Sequence, residues 1–143
     1  MKKIALFSVL IVLLVSLAAC GGATETAVAP SAPDNSTTQE LPVQIDVQTA
    51  YELSQQDDVF MLDVREQDEY DEKHIPDITL IPMSELQSRV DEIPTDKTVV
   101  VTCRSGNRSG QVTDFLRQNG FDNVHNMQGG INEWEAAGFA VER

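Results

Sequence analysis

Of the two cysteines in the chain, one stands in the run Thr102 to Gly110, read as TCRSGNRSG. Cys103 is followed at once by Arg104, and Arg108 comes five residues after it. A cysteine attacks as its thiolate, and an ordinary thiol with a pKa of about 8.5 is mostly protonated at neutral pH. This run carries three features that favour the anion. A helix is expected to begin just after the loop, and its N-terminal N–H groups carry partial positive charge. Arg104 and Arg108 add full positive charges. Gly106 and Asn107 are residue types that accept positive φ, which lets successive N–H groups turn inward as an anion-binding nest. The run therefore reads as a nucleophile in an anion cradle. Phosphate and sulfur chemistry both use such cradles.

The candidate residues follow from that reading. Cys103 is the candidate nucleophile, and the loop of Arg104, Ser105, Gly106, Asn107, Arg108 and Ser109 is the expected cradle for an incoming anion. No metal is called for: His74 and His125 have neither paired cysteines nor the i, i+4 spacing of a helical ligand pair. Two acids, Asp63 and Asp114, are the nearest candidates for the general acid a phosphatase would need, and both are more simply structural.

The N-terminus bears on the state of that thiol. Lys2 and Lys3 precede an apolar run from Ile4 to Leu17, which is short for a membrane span of about 20 residues. Leu17-Ala18-Ala19-Cys20 then resembles a bacterial lipobox, which implies cleavage before Cys20 and lipidation of that residue. Residues 1–19 are expected to be a lipoprotein signal peptide. Residues 20–40 would be the lipidated cysteine and a disordered tether rich in Ala, Thr, Ser, Pro and Gly. Residues 41–143 would be the folded domain. The protein would sit outside the cytoplasm, held to a bacterial membrane by acyl chains. Gly21-Gly22 lacks the Asp that would mark inner-membrane retention. With Cys20 lipidated, Cys103 has no partner for an internal disulfide, and an unpaired exported cysteine points to a reactive thiol. The formal charge is −13, and loss of the two lysines makes the remainder more acidic still. Such a surface excludes nucleic acid as a partner, since phosphate contacts need clustered Lys and Arg.

The elements that must position the loop alternate between strand and helix. Val43, Ile45 and Val47 alternate as a short strand, and Thr49, with Glu52 three residues on, reads as the capping box of a helix through Gln56. Val59 to Val64 is a continuous apolar run, as in a buried parallel strand. An acidic turn follows, then a second buried strand from Thr79 to Pro82. Ser84 reads as the cap of a helix carrying Leu86, Val90 and Ile93. Lys97 to Thr102 is the strongest strand, β-branched in its centre. A helix from Ser109 to Asn119 buries Val112, Phe115 and Leu116 and stops at Gly120. Val124 to Met127 is a last strand, and a final helix turns Ile131, Trp134 and Ala137 inward before Gly138. This alternation predicts an α/β fold, a parallel sheet with helices on both faces. Sites in such sheets lie at the carboxyl ends of strands, which is where Cys103 falls.

Four segments together resemble the rhodanese family. Cys103 to Ser109 is similar to its active-site loop, and Leu62 to Tyr70, LDVREQDEY, to its Asp-Val-Arg-Glu segment. His74-Ile75-Pro76 with Ile81-Pro82 resembles its His-Ile-Pro-Gly-Ala…Ile-Pro segment, although Asp77-Ile78 stands in place of Gly-Ala. Gln128 to Gly138 resembles its closing Gly-Gly…Trp…Gly element. The resemblance implies a five-stranded parallel sheet and a covalent sulfur transfer needing no cofactor. Cys103 would take a sulfane sulfur from a donor such as thiosulfate as a persulfide, then pass it to cyanide, a thiol or a thioredoxin-like protein. Arg104 and Arg108 would hold the anionic donor, with loop N–H groups stabilising the persulfide. Asp63 and Arg65 would support the site from behind. A persulfide carrier or redox-partner module is the alternative. A phosphatase or arsenate reductase fits less well, because those loops are one residue longer between the cysteine and the arginine.

Overall fold

The computed structural model describes residues 40–143. The expected signal peptide, Cys20 and nearly all of the tether lie outside the described residues. Five parallel strands, β1 (Gln44–Ile45), β2 (Val59–Asp63), β3 (Thr79–Leu80), β4 (Thr98–Thr102) and β5 (Val124–Met127), form one sheet in the order β1-β5-β4-β2-β3. The helices between and after them are α1 (Val47–Ser54), α2 (Gln67–Glu72), α3 (Leu86–Arg89), α4 (Asn107–Gln118) and α5 (Gly130–Ala136).

The two faces follow from the two-residue period of a strand. Along β4, Val99, Val101 and then Cys103 turn to the side packed by Leu86, Val112 and Leu116 of α3 and α4. Val100 turns to the other side, with Ala50 and Leu53 of α1 and Ile131 and Trp134 of α5. Both faces are covered, which is why β4 reads as an unbroken β-branched run rather than an alternation. The register pairs Val59 with Thr98 through Asp63 with Thr102. The carboxyl ends of β2 and β4 are therefore level, and Asp63, Arg65 and Cys103 emerge at one edge.

Several local expectations are corrected. Asp46, not Thr49, caps α1: its Oδ1 accepts the Thr49 N–H at 2.7 Å, because Thr49 lies inside the first turn and supplies an orphan donor there. The capping box forms instead on α2, between Glu66 and Glu69. Ser84 donates to Glu66 Oε2 rather than capping α3. That helix is one turn long and runs into a 3-10 turn, Val90–Glu92, because Ile93 precedes Pro94 and must be extended. Helix α4 starts at Asn107, two residues early: Gly106 alone takes positive φ, at +89°, and Asn107 is already helical. Ala137 lies beyond the end of α5 and is exposed. Asp77, where the family segment would carry Gly, keeps a left-handed backbone at φ +59°, which Asp tolerates better than most residues.

Candidate active site

Cys103 follows β4 directly and is 1% exposed. Its Sγ accepts the Gly106 N–H at 3.2 Å and the Ser109 hydroxyl at 3.4 Å. Burial works to raise the pKa of this thiol. The hydroxyl and N–H of Ser109, with the N–H groups of Ser105 and Gly106, outweigh it and bring the thiol below its ordinary value. Hydrogen bonds at the start of α4 thus make this cysteine more acidic in spite of its burial.

The loop's shape is held from behind. The Ile131 N–H donates to Cys103 O at 2.9 Å and the Asn132 N–H to Arg104 O at 3.2 Å. These first-turn donors of α5 would otherwise lack partners. They hold the two loop carbonyls against α5. Gly130 makes this approach possible: a Cβ there would lie 2.3 Å from Cys103 O and 2.7 Å from Ser105 N. On the other flank, Asn126 Nδ2 donates to Gly106 O at 3.1 Å and to Gln44 Oε1 at 2.7 Å. That bond orients the peptide following Gly106.

The two loop arginines differ. Arg104 is exposed and makes no ion pair among the described residues. Arg108 is held by Glu69 of α2, with Nη1 and Nη2 on the two carboxylate oxygens at 2.6 and 2.7 Å. Asp63 and Arg65 form a buried pair at 2.6 Å. Arg65 also donates to Glu69 O at 3.0 Å and Lys73 O at 2.8 Å, so it ties α2 to the end of β2. An opening of about 160 Å³ beside the loop is lined by Arg65, Glu69, Glu72, Lys73, Arg104, Ile131 and Asn132. A larger cavity of about 470 Å³, bounded by Tyr51, Phe60, Ile75 and Trp134, touches no residue of the cysteine loop. Asp114 is exposed on α4. The histidine rings bond backbone carbonyls, His74 that of Tyr70 and His125 that of Pro42.

The structure therefore brings together Cys103, Ser105, Gly106, Arg108 and Ser109, with Asp63 and Arg65 bracing α2. Asn107 is exposed in the first turn of α4, and no side-chain bond of its own reaches the sulfur. Sequence reasoning passed over Glu69, Asn126 and Gly130 as site residues. The paired glycines at the start of α5 and a polar Asn within a buried strand were the available signals.

Residues 46–137 match the rhodanese-like domain. The chain belongs to that family. Among relatives of this rhodanese-like chain, a sulfurtransferase of Allochromatium vinosum is 39% identical over 89 residues, 62% of this chain and 83% of that protein. The thiosulfate sulfurtransferase GlpE of Coxiella burnetii is 36% identical over 87 residues, 61% of this chain and 81% of its own. Two further relatives are matched over only 59% and 54% of their lengths. A crystal structure of a rhodanese-related protein from Thermoplasma volcanium superposes with a TM-score of 0.64 at 34% identity, covering 69% of this chain and 96% of that one. The five-stranded parallel architecture is that of these rhodanese-like neighbours.

Proposed function

We propose that residues 41–143 form a sulfurtransferase domain that carries sulfane sulfur on Cys103, tethered outside the cytoplasm through a lipid on Cys20. The observation that carries this reading is the sulfur's surroundings: hydrogen-bond donors from Gly106 and Ser109 converge on it. Attack by the thiolate on the outer sulfur of thiosulfate forms Cys103–S–S⁻ and breaks the donor S–S bond. Sulfite leaves with the bonding electron pair. A thiol or cyanide then takes the outer sulfur and restores the thiolate. The same donors that lower the thiol's pKa stabilise the persulfide anion between these steps. The sulfurtransferase names of the relatives support this chemistry at family level.

A persulfide carrier is the second reading. It is favoured by the burial of the sulfur and by the Glu69 carboxylate on Arg108, which leaves the loop fewer free charges for a small donor anion. Incubating the full chain with thiosulfate should add one sulfur atom to the peptide containing Cys103, and Cys103→Ser should abolish the adduct. Rapid thiocyanate formation on adding cyanide supports the enzyme; a stable adduct with slow turnover supports the carrier. Failure of every sulfane donor to modify Cys103 would overturn both. Membrane attachment is tested by labelling with a radioactive fatty acid, which Cys20→Ala should abolish.

A further inference from the structure

We propose that Glu69 sets which sulfur donors the Cys103 loop accepts, by closing Arg108 into an ion pair that an oxyanion donor must break. The inference rests on the sulfurtransferase reading and names the donor class it favours.

The position of Glu69 is built, not incidental. Its backbone carbonyl accepts from the buried Arg65, which is itself clamped by Asp63. Its carboxylate accepts the Glu66 N–H in the capping box of α2. From that fixed start it reaches both terminal nitrogens of Arg108. Each partner is about one-third exposed, so the pair lies near the surface rather than in the core, and Glu69 also lines the opening beside the loop. Glu69 is held below the ordinary carboxylate range chiefly by its hydrogen bond with Arg108, so it is charged at neutral pH. Lys73, on the same opening, is paired with Glu135. Arg104 is then the one cation lining that opening with no carboxylate partner among the described residues.

Two classes of donor meet this arrangement differently. Thiosulfate brings two negative charges and three oxygens. To use Arg108 it must displace a carboxylate already held through two hydrogen bonds, and it approaches that like charge as it does so. An organic persulfide of an uncharged thiol brings no oxyanion. Cys103–S⁻ attacks its terminal sulfur, the S–S bond breaks, and the departing thiolate keeps the electron pair and takes a proton from solvent. That donor has no need of the guanidinium. The site is therefore biased toward low-molecular-weight or protein persulfides and against oxyanion donors.

The test measures kcat and KM of the full chain in detergent with thiosulfate and with the persulfide of 2-mercaptoethanol. For Glu69→Gln, which removes the charge, the thiosulfate-to-persulfide ratio of kcat/KM should rise about tenfold, mostly through a lower thiosulfate KM. Glu69→Asp, which keeps the charge but falls short of the fork, should raise it less. Melting curves establish that each variant is folded; if the Gln variant is not, the Asp variant alone decides by the same sign. A ratio within twofold of the parent in the folded variants, or a parallel loss with both donors, overturns the proposal. A parent protein that takes sulfur from neither donor removes the sulfurtransferase reading, and this proposal with it.

Discussion

Gly130→Ala is the sharpest available test of how α5 shapes the cysteine loop. The added Cβ would stand 2.3 Å from Cys103 O, 2.7 Å from the Arg104 carbonyl carbon and 2.7 Å from Ser105 N. All three are backbone atoms, so no side chain can swing aside. Relief requires moving the start of α5 by on the order of 1 Å, given that carbon contacts prefer about 3.5 Å or more. A shift of that size lengthens the bonds from Ile131 and Asn132 to the loop carbonyls, now 2.9 and 3.2 Å, beyond useful range. Each lost bond costs about 1 kcal/mol. The left-handed backbone at φ +59° adds about 1 kcal/mol for a residue with a Cβ. Overpacking adds about 1–3 kcal/mol. Together these come to about 5 kcal/mol, at the lower end of a small domain's whole stability. Gly120→Ala is the control: its φ is +92° but nothing lies within 4 Å of the added Cβ, so only the backbone term of about 1 kcal/mol applies. Urea unfolding followed by the fluorescence of Trp134, the single tryptophan, compares the two. Iodoacetamide labelling of Cys103 in the same samples should slow for the Gly130 variant as the loop donors leave the sulfur. Equal losses in the two variants would refute the close-packing argument.

Four other outcomes are expected. Ser109→Ala removes a hydroxyl bonded to the sulfur, so the pH profile of Cys103 alkylation should move to higher pH with the fold intact. The sign for stability follows: folding favours the thiolate, so its contribution is complete above the unfolded thiol's pKa and is lost as pH falls through the lowered folded value; Cys103→Ser should flatten that slope in pH-dependent urea melts. Asn126→Asp places a carboxylate against Gly106 O and Gln44 Oε1 in a buried strand, and should cost about 3 kcal/mol and slow labelling of Cys103. Asp63→Asn leaves the Arg65 charge buried without its partner and should cost about 3–5 kcal/mol by urea titration.

Much of the architecture was readable along the chain. The buried runs at 59–64 and 97–102 became β2 and β4, because a strand covered on both faces has no polar side to show. The short elements were less legible. Thr49 and Ser84 have the chemistry of caps, yet Asp46 caps α1 and the Ser84 hydroxyl donates to Glu66 instead, since a cap is decided by which orphan N–H lies within reach. The start of α4 moved to Asn107 because one glycine sufficed to turn the loop.

For the site, sequence alone established the thiol, the two arginines and their five-residue spacing, because those depend only on residue type and order. It could not tell that the arginines differ in state. Arg104 faces solvent, while Arg108 is tied to Glu69, thirty-nine residues earlier in the chain. That pairing exists because the parallel register brings the ends of β2 and β4 level and Arg65 anchors α2 beside them. Contacts between segments so distant in sequence depend on the sheet's topology and on packing, and neither is written in any single stretch of residues.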